Sequence, residues 1–450
     1  MSNILFISPY YPPESGAAPA CVGETATRLV KQGHQVTVLT TFPNYPTGVF
    51  PKEYRGRFLK QEMRDGVHVV RVWSWVSPNK SFLHRIKWYL SFAFLAPLLG
   101  GKAVGHPEVI IVQSPPLFDA IAVRLLARWK RCPYIFMVSD LWPEQAIQLG
   151  VLRNRQLIWL SEWLEWSTYR RAALVWVVTE WIRDRLIQRG LASERILLLT
   201  NGVDTNTFRP LPQAQARAEL GWDDRFTVLY VGTHGVTHGL MTIINAAEQL
   251  RNHNDIHFIL VGEGSDKDEM IEHAQKLGLT NITFMDVVPH RLVPTILAAG
   301  DVCLAHVRKA SITEGILPIK MFEAMACSRP IVLAVDGEAR RIAEQEAGAA
   351  IFVEPENADA LASAILDLYE HPDLAAALGS RGRTYVEARF DYDQLTAVLD
   401  ARIAQLLDEH KSKDSHGRQK YAYRSPTLDI LKKLDLSERS VVEDRSGAKR

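Results

Sequence analysis

Hydrophobic positions fall along this chain in short β-branched runs separated by longer stretches of helical spacing. In the first half the runs lie at 4–7, 36–39, 68–72, 109–113, 134–138 and 174–178, with helical stretches near 20–32, 118–129 and 154–169. In the second half they lie at 227–231, 257–261, 282–285, 302–305 and 331–335. Helical patterns fill the gaps at 240–251, 267–277, 292–298 and 319–325, and follow the last run at 338–346, 358–371 and 373–378. Short apolar runs bounded by turn formers read as buried strands, and their alternation with helices reads as parallel sheet. The pattern predicts an α/β fold of two Rossmann-like domains facing across a cleft. The first covers 1–205, a proline-bearing linker 206–225, the second domain 226–378, and one long helix 379–409 closes the folded part. From 410 to 450 the chain turns polar and basic, with one apolar cluster at 428–436, and reads as a mostly disordered tail.

Composition narrows the function. With 450 residues, 47% hydrophobic and 23% charged, the chain is globular, and its net charge of +1 argues against nucleic acid as a partner. Cys21, Cys132, Cys303 and Cys327 show neither metal spacing nor a disulfide framework, which suits a reducing cytosol. An apolar strand follows Met1 almost at once, so a cleaved signal peptide is not expected and the reading is cytoplasmic. The most apolar stretch, 82–99, is interrupted by Arg85, Lys87 and Pro97 and is too short to span a bilayer. Trp88 and Tyr89 within it, Lys52, Arg55, Arg57, Lys60 and Lys102 around it, and a second Trp-rich helix at 157–173 suit an anionic membrane surface. Core or interdomain helices are the other reading of both segments.

The chemistry concentrates in 311–333, a polar loop with Gly315, a helix, the turn Ser328-Arg329-Pro330 and a strand. A loop opening a helix presents unpaired N–H groups and the positive end of the helix dipole, which suits a diphosphate. Glu323, one turn into the helix, can accept hydrogen bonds from a sugar diol, and Lys320 stands on roughly the same face. Together they suggest a nucleotide-sugar site, although an ordinary surface helix carries the same pattern. Gly232, His234 and His238 follow the strand at 227–231, and Gly262 and Gly264 follow that at 257–261, where backbone can approach a ligand closely. The loop holding Gly16 and Ala17 lacks a G-x-G-x-x-G fingerprint, against a dinucleotide oxidoreductase. Asp140, at the carboxyl end of the strand at 134–138, reads either as an acid–base group or as a helix cap.

Six motifs then occur in one order: the glycine loop after the first strand, PNYP (43–46), DLWPE (140–144), NGVD (201–204), GEG (262–264) and PIKMFEAMACSRPIV (318–332). Together they resemble the family-4-type retaining glycosyltransferases of GT-B fold, in particular the bacterial O-antigen, capsule and colanic-acid branch, over residues 3–408. The resemblance implies a C-terminal helix crossing back to the N-terminal domain, a sugar nucleotide on the C-terminal domain, and an acceptor on the N-terminal one. It implies retention of anomeric configuration, no metal and no cofactor. By position, Glu323 matches the second glutamate of the family's E-x7-E motif, which holds the ribose. Gly315, Ile316 and Leu317 match backbone that contacts the donor's phosphates or sugar. Gly16 and Ala17 match the loop facing the diphosphate, and Asp140 falls where relatives carry a polar residue near the reacting carbon.

The sequence departs from that pattern twice. Glu314 and Glu323 stand nine apart, so Glu314 is one residue out of register, and either the loop bulges to return its carboxylate or Gly315 fills the position. The family's arginine and lysine after the first C-terminal strand are replaced by His234 and His238. Lys320, Arg308, Lys309 and the histidines are left to neutralise the diphosphate, and Asp140 and Lys320 are the candidate catalytic residues. The expected reaction is transfer of a hexose or N-acetylhexosamine to a polyprenyl-diphosphate-linked or growing glycan acceptor, by a protein peripheral on the inner face of the cell membrane. A sugar-nucleotide epimerase of the same fold and a decayed membrane-associated assembly protein are the alternatives.

Overall fold

The computed structural model describes residues 1–415 apart from 15, 45, 46, 80, 149 and 310–314. Eight strands organise its first half: β1 (Asn3–Ile7), β2 (Gln35–Thr41), β3 (Leu59–Arg64), β4 (Val67–Val72), β5 (Val109–Ser114), β6 (Tyr134–Val138), β7 (Leu174–Val177) and β8 (Ile196–Leu198). They lie in the order β3-β4-β2-β1-β5-β6-β7-β8, and β3 with β4 is the antiparallel pair. The central strand β5 is buried at every position, the continuous apolar run expected of a strand covered on both faces. The edge strand β3 mixes in Lys60, Glu62 and Arg64, which hides it from an apolar-run reading and blunts the edge against stray pairing. Its connecting helices are α1 (Ala17–Lys31), α2 (Phe82–Leu95), α3 (Asp119–Lys130), α4 (Glu144–Gln148), α5 (Arg155–Tyr169) and α6 (Glu180–Gln188). Local caps start two of them: the Asn154 side chain accepts from the N–H groups of Gln156 and Leu157, and Thr179 Oγ1 accepts from that of Ile182.

After α7 (Gln213–Leu220) the second half repeats the plan with β9 (Phe226–Val231), β10 (Ile256–Val261), β11 (Ile282–Met285), β12 (Val302–His306), β13 (Ile331–Ala334) and β14 (Ala350–Phe352). These form a parallel sheet in the order β11-β10-β9-β12-β13-β14. Its helices are α8 (Met241–Gln249), α9 (Lys267–Lys276), α10 (Val293–Ala299), α11 (Ile319–Ala326), α12 (Glu338–Arg340), α13 (Ala358–Glu370), α14 (Pro372–Arg389) and α15 (Tyr392–Ser415). Register aligns the strand ends: Val231, Val261 and Met285 pair across one row, and His306 pairs with Ala334. The loops that follow leave from a common edge, where ligands of such sheets bind.

Two expectations change. The stretch read as a linker, 206–225, carries α7, because Arg217 is drawn inward to Asp301 (2.5 Å) and to the Ala299 carbonyl (3.0 Å). The rod read over 379–409 is two helices, and the short helix read at 373–378 belongs to α14. The break has a cause in NGVD: the Val203 N–H donates to the Phe390 carbonyl (2.9 Å) and the Tyr392 N–H to the Val203 carbonyl (3.1 Å). The Thr205 hydroxyl donates to the Asp391 carboxylate. Gly202 is needed there, since a Cβ would sit 2.7 Å from the Phe390 carbonyl oxygen. From this joint α15 returns to the first half, where Asp393 meets Arg28 of α1 at 2.7 Å and Asp400 meets His34 at 2.9 Å. Residues from 405 on form a separate unit, described as the last turns of α15, and the tail beyond 415 lies outside the described residues.

The loop after β1 is anchored by Arg71, whose side chain is almost fully buried. Its guanidinium donates to Glu62 (2.7 Å), to the Pro12 carbonyl (2.6 Å) and to the Thr41 carbonyl (3.3 Å). Arg71→Met strands three acceptors, one of them charged, and is expected to lower the thermal midpoint by about 5–10 °C. A melt followed by circular dichroism checks this, and an unchanged midpoint removes Arg71 as the anchor.

Candidate active site

At the carboxyl edge of the second sheet, two glycine turns stack on each other. Gly232 leaves β9 at φ +147° and Gly262 leaves β10 at φ +148°, conformations that favour glycine. The Gly232 N–H donates to the Val261 carbonyl and the His234 N–H to the Glu263 carbonyl, each at 2.9 Å. A Cβ on Gly262 would lie 1.8 Å from the Gly232 carbonyl oxygen, and one on Gly264 2.0 Å from that of His234. These glycines were expected to admit a ligand; in the structure Gly262 and Gly264 also admit the neighbouring loop, and Gly232 admits Lys320.

Lys320, the second residue of α11, reaches back over this stack. Its Nζ lies 3.8 Å from the centroid of Tyr230 in β9, and a Cβ on Gly232 would come within 2.5 Å of it. The Tyr230 hydroxyl donates to the Thr233 carbonyl (2.9 Å), which fixes the ring. Although the lysine stem is partly exposed, Nζ itself is buried and has no hydrogen-bond partner among the described residues. Burial pulls the ammonium down to about 7, and Glu323 opposes that shift. A cation in this state is ready for an anion.

The histidines contribute differently from the cations they replace. His234 is fully buried with both ring nitrogens unpartnered among the described residues. Burial, then the nearby Lys267 and Lys320, hold it at about 4. His238 is also held at about 4, by burial and then Lys320. Both rings are therefore neutral at neutral pH and offer hydrogen bonds rather than charge. His306, at the end of β12, joins them: Nδ1 meets the His238 carbonyl at 2.6 Å and Nε2 is buried without a partner among the described residues. Sequence reading missed it, because a lone histidine ending an apolar strand carries no motif. Arg308 and Lys309 turn elsewhere, toward Glu356 (3.5 Å) and Glu354 (3.2 Å), so their charges are already opposed.

Glu323 lies one turn beyond Lys320, its Oε1 3.7 Å from His290 Nε2. That contact, ahead of burial, raises the imidazole. Glu314 falls outside the described residues. Ile316 and Leu317 are half-buried and pack on the core beneath α11, while Gly315 faces the first half. A Cβ on Gly315 would come 2.5 Å from the Trp181 ring. The N–H groups of Glu180 and Trp181 in turn donate to the buried Glu338 carboxylate, at 3.0 and 3.1 Å. A carboxylate from the second half thus caps α6 of the first, next to the loop expected to hold phosphates. Neither Trp181 nor Glu338 was visible as a site residue in sequence, since only the fold brings them together.

Three expected residues lie at the carboxyl edge of the first sheet. Gly16 caps α1 at φ +131° and Ala17 opens that helix. Asp140 stands two residues past β6, and burial pushes its carboxyl up to about 6, eased by a long contact with Gln145 Nε2 (3.4 Å). No helix N–H donates to it among the described residues, so the capping reading fails and an acid able to titrate near neutral pH remains.

Comparison with known proteins gives the family. Residues 16–202 match the glycosyl transferase 4-like domain, and residues 225–371 match glycosyl transferases group 1. The chain is a glycosyltransferase of GT-B fold. It is 28% identical over 407 residues to the putative colanic acid biosynthesis glycosyl transferase WcaI of Escherichia coli, covering 87% of this chain and 97% of that one. Sucrose-phosphate synthase from Thermosynechococcus elongatus superposes with a TM-score of 0.72 at 21% identity, over 91% of this chain and all of that one. Anabaena HepE, solved with UDP and glucose, superposes with a TM-score of 0.68 at 18% identity, over 90% of this chain and 100% of that one.

The glycosyltransferase has no helix among the described residues long and apolar enough to cross a membrane. Trp88, expected at a membrane surface, is 9% exposed and donates from Nε1 to Ser74 (3.2 Å), so it belongs to the core. Apolar exposure lies instead at Phe94 and Leu98, at Leu125 and Trp129 of α3, and at Trp159 and Trp163 of α5. Arg124 and Lys130 lie 5.9 and 4.8 Å from the Trp163 and Trp129 rings.

The lowered lysine gives a signed prediction. In the unfolded chain Lys320 keeps its proton up to the ordinary value of 10.5, whereas in the fold it releases it near 7. Its destabilising contribution is full below about pH 7 and fades as the pH rises toward 10.5. Lys320→Met is therefore expected to melt higher than the parent protein at pH 6, with the gap closing by pH 10 as the penalty fades. Thermal melts across that range check it, and a gap that widens with pH contradicts the burial of Nζ.

Proposed function

We propose that this glycosyltransferase moves a hexose or N-acetylhexosamine, with retained anomeric configuration and without a metal, from a nucleotide sugar to a lipid-linked or growing polysaccharide acceptor. The observation that carries the reading is the buried Lys320 ammonium at the carboxyl edge of the second sheet, without a hydrogen-bond partner among the described residues. As the bond from the sugar to the diphosphate breaks, negative charge grows on the leaving group, and a desolvated cation beside it is worth more there than in water. Glu323, one turn along, takes the ribose hydroxyls, and neutral His234 and His238 supply hydrogen bonds to the phosphates. The acceptor hydroxyl attacks on the face the diphosphate leaves, and its proton passes to the departing phosphate oxygen. Asp140 lines the acceptor side, where its carboxylate steadies the positive charge that develops at the reacting carbon. The role in cell-surface glycan synthesis takes support from the E. coli relative, named for colanic acid biosynthesis, and the donor type from the UDP bound in Anabaena HepE. Exposed Trp129, Trp159 and Trp163 with Arg124 and Lys130 form a face suited to an anionic membrane, which would keep the enzyme beside an isoprenoid-linked acceptor on the cytoplasmic side.

Incubating a panel of nucleotide sugars with membrane-extracted lipid acceptors, and analysing the anomer formed, tests the reaction as a whole. Inversion at the anomeric carbon, or an epimerised sugar nucleotide formed without acceptor, overturns the reading. Glu323→Ala is expected to weaken nucleotide-sugar binding about 10–100-fold through loss of charge-assisted hydrogen bonds. Asp140→Asn is expected to lower kcat with little change in KM. Replacing Trp159 and Trp163 together by serine should reduce flotation with anionic vesicles while leaving nucleotide binding intact, and unaltered flotation removes the membrane face.

A further inference from the structure

The second sheet has a second edge. Where β9, β10, β12 and β13 begin, away from the donor loops, lies a cleft of about 730 Å³ between Phe226, Asp255, Asp301, Arg329, Tyr369 and Pro372. That volume falls within the range of small-molecule sites, ~300–1,000 Å³. Its charged groups are not all paired with one another. Asp301 is fully engaged, accepting from Arg217 (2.5 Å), from Gln213 Nε2 (2.9 Å) and from the Thr227 N–H (2.6 Å). Arg225, also on the wall, is paired with Asp223 at 2.7 Å. Arg329 has no such partner: Nε is buried without a hydrogen bond, and no carboxylate forms an ion pair with the guanidinium among the described residues. The residue as a whole is only partly buried, so a guanidinium without an ion-pair partner borders the cleft and can take an anion there. Burial pulls Arg329 below its ordinary range, while nearby Cys303 and Asp301 oppose that shift.

The rest of the wall suits a saccharide. Asp224 and Asp255 are exposed at the mouth, available to hydroxyl donors, and Tyr369 presents a ring held edge-on by Phe226 at 5.4 Å. The turn presenting Arg329 also closes α11, since its N–H donates to the Ala324 carbonyl (2.9 Å). The helix that carries Lys320 and Glu323 at one edge of the sheet therefore ends at this cleft.

We propose that the cleft is a second ligand site, for a small polyhydroxylated anion, a sugar phosphate or a sugar carboxylate, whose anionic group sits on Arg329, whose hydroxyls meet Asp224 and Asp255, and whose apolar face lies on Tyr369. The site is independent of the donor edge, and so is its test. Titration calorimetry on the full chain with glucose 1-phosphate, glucuronate, inorganic phosphate and glucose separates the parts. Binding of either sugar anion with no binding of glucose at about 1 mM is the expected result, and which of the two binds identifies phosphate or carboxylate as the group. Arg329→Gln is expected to raise the dissociation constant at least about tenfold and Arg329→Lys less, because the bidentate fork is lost while the charge stays. Glu323→Ala should leave this binding unchanged. The proposal is overturned if neither sugar anion binds, if Arg329→Gln binds as well as the parent while keeping its melting temperature, or if Glu323→Ala abolishes the signal and so moves it to the donor edge. Affinity for inorganic phosphate equal to that for glucose 1-phosphate overturns the saccharide assignment.

Discussion

An ammonium group moved out of water without a counter-ion costs several kcal/mol, and much of the second half is arranged around meeting that cost at Lys320. The Tyr230 ring, itself wholly buried and fixed through Thr233, gives the charge a cation–π contact at 3.8 Å. Glycine at 232 leaves the space that any side chain would take from it, and glycines at 262 and 264 let the next turn support Gly232 and His234 from behind. The result is a cation that is only partly compensated until an anion arrives. In the proposed reaction, binding and chemistry would draw on the same deficit, since a leaving diphosphate gains charge.

The histidines change the electrostatics of this edge rather than repeating what cations would do there. Held at about 4, His234 and His238 add no positive charge at neutral pH, and Arg308 and Lys309 are opposed by glutamates. Positive charge is thereby concentrated in one lysine. Such concentration makes this edge sensitive to pH near 7.

The two halves are tied at two places with different chemistry. At the crossing, Arg28 of α1 binds Asp204 and Asp393, so the NGVD turn and the start of α15 are pinned to the first sheet's helix layer. Near the donor edge, Glu338 caps α6 and Gly315 rests on Trp181. The first tie is a network of ions around a largely buried guanidinium. The second joins the second half to the first through the N–H groups of Glu180 and Trp181, which hold Glu338, and through the Trp181 ring, which abuts Gly315, a pairing that only this packing aligns.

What the sequence determined by itself follows from local periodicity. Runs such as VIIVQS and FTVLYV alternate with helical stretches, which reads as buried parallel strands, so the α/β class and the two-sheet plan were legible, as were Lys320 and Glu323 on one helix. Strand β3 was not, because an edge strand exposes charged residues, and the break between α14 and α15 was not, because it depends on Val203 bonding across to Phe390 and Tyr392. Trp88 and Trp163 look alike in composition, yet one lies in the core and the other outside. The tertiary structure alone decided which groups lose water. Desolvation depends on everything packed around an atom, and so the lowered lysine, the neutral histidines, the raised Asp140 and the lowered Arg329 appear only once the chain is folded.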